Sequence, residues 1–273
     1  MNANQPTDEE ICQRIERGWL IPYLIALDQM FSKRWDYWAR TLEARKVLDE
    51  PIPQINWLWT PHKTAQKNLE TCITLSQNRG HRDAFDLFVD WLLYGFGHSL
   101  VQELPSQIEP QVNAGWYKTF NLGLYLKYPH DYLGQYAADL YGNGKRNPMA
   151  YFPTPMHISY FMVEMMMSGT DKTASVCDPC VGSGRLLMAA SNYSLNLYGM
   201  DIDPLILKVC HLNMFMYVPW GVCRPKTLKG LDDVQQPRQQ GSRLIRTPIQ
   251  QTTPEVQQEL LEAVQLSLFD DMH

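Results

Sequence analysis

The stretch that most constrains the fold runs from residue 174 to 204, "ASVCDPCVGSGRLLMAASNYSLNLYGMDIDP". "ASVCDP" reads as a buried strand, "GRLLMAAS" as a helix and "LNLYGMDIDP" as a second strand ending in acids. Parallel strands need a crossover, so strand, glycine turn, helix and strand in this order make the first βαβ unit of an open parallel sheet. "PLILKVCHLNMFMYV" continues as a further helix. The fold expected is α/β, with an incomplete Rossmann-like sheet.

The same stretch carries two competing chemistries. Cys177 and Cys180 form a Cys-x-x-Cys, and with Cys210, His211 and Cys223 four zinc ligands can be assembled on paper. Structural zinc sites usually take paired ligands from short knuckles, and here the second pair falls on a helix without x-x spacing. A redox pair heads a helix, whereas Cys180 is followed by the turn. The cysteines are therefore read as incidental, with Cys177 as a buried strand residue. The other reading is a ligand cradle. Gly182 and Gly184 let a ligand approach the backbone, and the next helix offers free N–H groups. Asp178, at the strand end, can accept from a ligand amino group. Asp201 follows about twenty residues later, the separation at which an acid reaches ribose hydroxyls. Gly-x-Gly-x-x-Gly and Gly-Lys-Ser/Thr are both absent, which disfavours a dinucleotide or triphosphate. An adenosine with a cationic or zwitterionic tail suits these acids better. A lone Gly-x-Gly often merely connects a strand to a helix; the two acids and an upstream helix start argue against that here.

Residues 1–130 read as a helical region. Thr7 and Glu10 match a capping box, and the segment to about Leu48 is interrupted by Gly18 and Pro22. Thr60 is the expected N-cap of a helix with Pro61 in its first position and Ala65, Leu69, Cys72 and Ile73 on one face. Phe85, Phe88, Val89 and Leu92 line another, ended by Gly95 and Gly97. Residues 131–231 form the second unit. It opens with a Gly, Asn and Pro loop carrying Lys145 and Arg146, then a helix capped by Thr154 with Pro155 in its first turn. Residues 232–273 read as a Gln-rich linker, a short helix from Thr253–Pro254 with Val256, Leu260 and Val264 spaced by four, and a C-terminal peptide.

"DYLGQYAADL", "YFPTP", "DPCVGSGRLL", "GMDIDP" and "HLNMFMYVPWG" together resemble the adenine-specific N6 DNA methyltransferases, particularly type I restriction-modification modification subunits. The resemblance spans roughly residues 85–231 and implies S-adenosyl-L-methionine as cofactor. By resemblance, Phe152, Thr154, Asp178, Cys180, Gly182 and Gly184 line it, with Thr154 at the methionine end. Asp201 takes the ribose hydroxyls, and Ile202 lies against the adenine ring. The family also uses an Asn/Asp-Pro-Pro-aromatic tetrapeptide to hold a flipped adenine, a step that needs acceptors for the amino group. That tetrapeptide does not occur in the 273 residues. "VPWG" at 218–221 lacks the polar residue and the second proline, and is read as a loop. The expectation is a chain that binds the cofactor but is inactive alone, or needs a second methyltransferase or specificity chain for the base pocket.

Net charge bears on the partner. At −5, the chain lacks the basic excess from which nucleic-acid binders draw most affinity, so DNA is expected through a local patch or a complex. "QLSLF" at the tail resembles the peptide by which bacterial proteins dock on the replication sliding clamp. Gln265 would bond at the pocket edge while Leu266, Leu268 and Phe269 insert into the groove. Alternatively, these are the last apolar positions of the helix. A silent scaffold joined to the clamp is thus a second functional reading. Irregular cysteine spacing, and no apolar leader or membrane-length stretch, point to a cytoplasmic setting.

Overall fold

A computed structural model of the protein describes residues 7, 10–12, 15–76, 80–142, 151–225 and 228–231. Lys145 and Arg146, the Gln-rich linker, the segment from Thr253 and the QLSLF peptide lie outside these residues.

The capping box is made as read: Glu10 Oε2 accepts from the Thr7 N–H at 2.7 Å, and Thr7 Oγ1 accepts from the Glu10 N–H at 3.3 Å. Gly18, at φ +87°, breaks the chain, but Pro22 does not. It occupies the first turn of α1 (Ile21–Phe31), where a missing N–H is harmless. A break not foreseen comes at Lys33, which adopts a left-handed conformation before α2 (Arg34–Ala44). Asp28 of α1 serves as the cap of α2, accepting from the Arg34 and Trp35 N–H groups.

α3 spans Lys63–Thr74 and buries Ala65, Leu69, Cys72 and Ile73 as their spacing requires. Its cap position is held by His62, not Thr60. The His62 ring stacks on Tyr128 at 3.7 Å and its N–H donates to the Tyr132 hydroxyl, which holds residue 62 extended and delays the helix. α4 (His81–Gly95) buries Phe85, Phe88, Val89 and Leu92, and Gly97 turns the chain away at φ +68°. α5 (Pro110–Thr119), α6 (Leu122–Lys127) and α7 (Tyr132–Gly142) complete the helical part.

α8 (Met156–Met167) starts one residue later than expected: Pro155 holds the cap position and Thr154 makes no side-chain cap. The Pro155 carbonyl accepts from Ile158 and Ser159. β1 (Ser175–Asp178), α9 (Arg185–Ala190) and β2 (Asn196–Gly199) follow, then α10 (Pro204–Tyr217). The strands pair in parallel, Ser175 opposite Asn196 and Asp178 opposite Gly199. Among the described residues this two-stranded sheet is the whole of the β structure apart from one isolated bridge. Strand alternation turns Val176 inward and Ser175 and Cys177 outward, so Cys177 is exposed rather than buried. β2, in contrast, is covered along its length.

"VPWG" is not a loop. Pro219–Val222 form a short buried helix, α11, whose Trp220 packs against Tyr37 and Trp38. Four residues are too few to show a period, which is why the pattern gives no sign of it. A continuous core runs from Leu20 to Leu231 through both the helical part and the strand-bearing part. Among the described residues no helix is long and apolar enough to cross a membrane.

Candidate functional site

The turn after β1 closes on β2 through its backbone. The Val181 N–H donates to the Met200 carbonyl at 2.8 Å, and the Met200 N–H to the Asp178 carbonyl at 3.0 Å. Gly182 (φ +54°) and Gly184 (φ +92°) take conformations that side chains resist. Their surroundings differ. A Cβ on Gly184 would lie 2.8 Å from the Cys210 sulfur and 3.1 Å from Met214, so this glycine lets α10 pack beneath the turn. A Cβ on Gly182 would meet Tyr151 at 3.2 Å.

A cleft of about 470 Å³, within the range of small-molecule sites, opens above the turn. Phe152, Thr154, Asp178, Cys180, Gly182, Asp201 and Ile202 all line it; Gly184 does not. Two of the seven are apolar and open to solvent, Phe152 at 81% and Ile202 at 61% exposure. Met162 of α8 adds a third apolar surface to the wall.

Three acids, Asp178, Asp201 and Asp203, line the cleft. Asp178 Oδ1 accepts from the Cys180 N–H at 3.0 Å. Asp201 Oδ2 accepts from the Gly182 N–H at 2.8 Å, and its Oδ1 from the Asp203 N–H at 3.0 Å. Asp203 caps α10 through the Leu205 and Ile206 N–H groups. Burial raises the Asp178 pKa; the Cys180 N–H opposes this and the Asp201 charge adds to it. A cluster of carboxylates stabilises cations and accepts from amino and hydroxyl groups, and it repels phosphate.

Behind the turn lies a buried polar network that the sequence reading missed. Asp131 is fully buried. Its Oδ2 accepts from Arg185 Nε at 2.7 Å and Ser183 Oγ at 2.5 Å. Its Oδ1 accepts from Asn213 Nδ2 at 2.8 Å and the Gly134 N–H at 2.8 Å. Burial by itself raises the Asp131 pKa, but Arg185, Ser183 and Asn213 together outweigh it and hold the carboxyl below its ordinary value. Tyr151 donates to Ser183 Oγ at 2.9 Å, and its hydroxyl is pushed far up by burial and the Asp131 charge. Gly134 has no room for a side chain: a Cβ would lie 2.2 Å from Asp131 Oδ2 and 2.4 Å from Ser183 Oγ. The sequence does hold a signal for this network. A charged residue directly after a glycine turn, Arg185, on the apolar "RLLMAA" helix needs a buried partner.

The cysteine pair is not brought together with its paper ligands. Cys177 and Cys180 are exposed, while Cys210, His211 and Cys223 are buried. Among the described residues no three His, Cys, Asp or Glu side chains converge as metal ligands would. Burial and Asp178 raise the Cys177 pKa, which lowers its thiolate fraction.

Comparison with known proteins places this region. Residues 133–218 match the N-6 DNA Methylase family. The chain is similar to the type II restriction enzyme and methyltransferase RM.BcgI of Heyndrickxia coagulans, with 29% identity over 103 residues. That match covers 32% of this chain and only 16% of the relative's length. The relative is a type II enzyme rather than a type I modification subunit, so what the two findings share is a methyltransferase. No solved structure matches. The cleft-bearing part of the chain, residues 133–218, is thus similar to the N-6 DNA methylases.

Proposed function

We propose that the cleft binds S-adenosyl-L-methionine and that the chain is part of a DNA adenine N6-methyltransferase of a restriction-modification system. The observation that carries this reading is one cleft lined both by the acids Asp178 and Asp201 and by the exposed apolar Phe152 and Ile202. Asp178 and Asp201 suit an ammonium group and ribose hydroxyls, while Ile202, Phe152 and Met162 suit an adenine ring. The Gly182 N–H orients Asp201, leaving lone pairs on its oxygens for a ligand. The turn between β1 and β2 makes the two strands the first βα unit of a Rossmann-like sheet in this reading. When bound, the cofactor supplies a methyl group on a sulfonium. The chain's own residues orient that group and exclude water from it.

Holding and deprotonating an adenine amino group is assigned to a second polypeptide, a methyltransferase or specificity chain, which also brings the DNA. Two observations support this. The Asn/Asp-Pro-Pro-aromatic tetrapeptide is absent from the 273 residues. Among the described residues β1 pairs with β2 alone, and α8 leaves Phe161, Met165 and Met166 open to solvent. The setting proposed is cytoplasmic. The alternative, a silent scaffold docked on the sliding clamp through Gln265, Leu266, Leu268 and Phe269, rests on the peptide sequence alone and would be read by loss of clamp capture on deleting residues 265–273.

Calorimetric titration with S-adenosyl-L-methionine tests the reading. Saturable heat is expected, weakened at least tenfold by Asp201→Ala; a folded wild type that gives no heat sinks it. Purified chain alone is expected to leave DNA unmethylated, and N6-methyladenine produced by it would remove the need for a second polypeptide.

A further inference from the structure

We infer that the Asp131–Arg185 pair is a positioning device, which fixes the wall of the cleft at residues 151–155 against the glycine turn. This rests on the cofactor reading of the cleft and extends it to residues that reading does not use.

Three groups of one guanidinium are spent on two segments, the start of α7 and the 151–155 stretch. Arg185 Nε donates to Asp131 ahead of α7, Nη2 donates to Gln135 Oε1 on α7 at 3.1 Å, and Nη1 donates to the Thr154 carbonyl at 3.2 Å. Arg185 itself opens α9, directly after Gly184. The Thr154 carbonyl belongs to the segment that carries Phe152 and Thr154 into the cleft. A second tie runs parallel to the first. Tyr151 bonds Ser183 of the turn, which in turn bonds Asp131. Asn213 of α10 closes the set, donating to both Asp131 and the Ser183 carbonyl. The turn and the 151–155 segment are therefore tied through one buried carboxylate, and both line the cleft.

Stability alone is a poor reason for such an arrangement. A buried ion pair gives back much of its Coulomb energy as desolvation and often stabilises no more than an apolar replacement. Its geometric value is higher, because a planar guanidinium fixes several acceptors in direction as well as distance. Four of the five sequence fragments of this region meet here: Asp131, Gly134 and Gln135 from "DYLGQY", Tyr151 and Thr154 from "YFPTP", Ser183 and Arg185 from "VGSGR", and Asn213 from "HLNMF".

The test compares Arg185→Lys with wild type in two measurements. Lysine keeps a cation beside Asp131 but lacks the planar fork, so it cannot hold Asp131, Gln135 and Thr154 together. Hydrogen exchange across 151–160 is expected to quicken at least fivefold in the variant, with α10 unchanged and the thermal midpoint moved by only a few degrees. Calorimetry is expected to show S-adenosyl-L-methionine bound at least tenfold more weakly. Wild-type affinity in the variant, or unchanged exchange at 151–160, overturns the inference, as does a loss of affinity matched by equal loosening throughout the fold. Asp131→Asn serves as the second variant should lysine fold poorly, with the same expected pattern. If wild type itself gives no heat, the cofactor reading fails, and the exchange measurement alone then decides whether the pair holds the segment.

Discussion

Among the described residues two arginines are buried, and the molecule solves the problem of each in a different way. Arg185 meets a carboxylate, Asp131, at 2.7 Å. Arg34 is equally buried, yet among the described residues it reaches no carboxylate within ion-pair distance. Its Nε donates to the Pro53 carbonyl at 2.8 Å, its Nη1 to Ser191 Oγ at 2.7 Å and the Tyr217 carbonyl at 3.0 Å, and its Nη2 to Asn192 Oδ1. Tyr217 ends α10, and Ser191 and Asn192 follow α9, so the cation sits at the negative ends of two helix dipoles. The Trp220 ring lies 5.1 Å away. Burial pulls the Arg34 pKa down to about 9, against an opposing pull from Asp28, and the group remains charged at neutral pH. Arg34 ties the helical part to the strand-bearing part, whereas Arg185 ties one wall of the cleft to the other. The first is a fastening of the fold and the second is an adjustment of the site.

The largest effect expected follows from that difference. Arg34→Met takes the side-chain donor from the buried Pro53 and Tyr217 carbonyls and one bond each from Ser191 Oγ and Asn192 Oδ1, and removes a cation from two helix ends. A loss of roughly 3–5 kcal/mol is expected in denaturant unfolding, without change in cofactor affinity where the protein remains folded. Retained stability would show that α1 and α2 dock through their apolar faces alone.

Acid separates the two regions next. His98 and His211 lie with ring centroids 4.4 Å apart, beside Phe215 of the α10 segment that also receives Trp35. Burial lowers the His211 pKa to about 4, and burial together with His211 lowers that of His98. An unfolded histidine takes up its proton near 6.5, whereas these accept one only at lower pH, so the unfolded state holds more protons in between. Stability is therefore complete above pH 6.5 and falls toward pH 4, by roughly 3 kcal/mol for His211. The Asp131 pKa is lowered, so its contribution is present above 3.8 and lost only below that value. Unfolding midpoints measured from pH 7 to 4 should show the histidine loss first, and its absence in His211→Gln would assign it.

A smaller effect tests the packing around Asp131. Gly134→Ala places a Cβ against Asp131 and Ser183, with a cost of about 2 kcal/mol expected. Gly142, at the far end of the same helix, has nothing within 4 Å of its would-be Cβ, and alanine there is expected to be neutral or slightly stabilising. Equal behaviour at the two sites would mean that the network yields easily.

Local pattern made α4, β1, α9, β2 and α10 legible, α4 by the period of its buried face and α9 and α10 as apolar runs buried almost throughout. Phe85, Phe88, Val89 and Leu92 are that face, and Leu197 in "LNLYG" is buried likewise. Chain starts fixed by distant partners were not legible. Nothing near Thr60 announces that Tyr128 and Tyr132 hold His62 extended, and nothing near Thr154 announces that Arg185 takes its carbonyl. The lining of the cleft was readable because acids and glycines at a strand end have few other uses. Of the Asp131 network only Arg185, a charge on an apolar helix, gave a signal; its partners were not legible, since they come from segments as much as 82 residues apart.

The smallest effect concerns the residue that first suggested a metal. Cys177 points away from the core on β1, with no partner thiol, and burial together with Asp178 raises its pKa. If strand alternation, and not ligand chemistry, decides its environment, then Cys177→Ser should move stability by no more than about 0.5 kcal/mol, as at other exposed positions. A chelator should leave both proteins unchanged. A shift of several degrees on chelation of wild type, absent in the variant, would show that the outer face of β1 binds a metal. Against that outcome stands the geometry of the turn. Cys180 faces the cleft rather than Cys177, and Cys210 is committed to the space beneath Gly184, where a Cβ on the glycine would lie 2.8 Å from its sulfur.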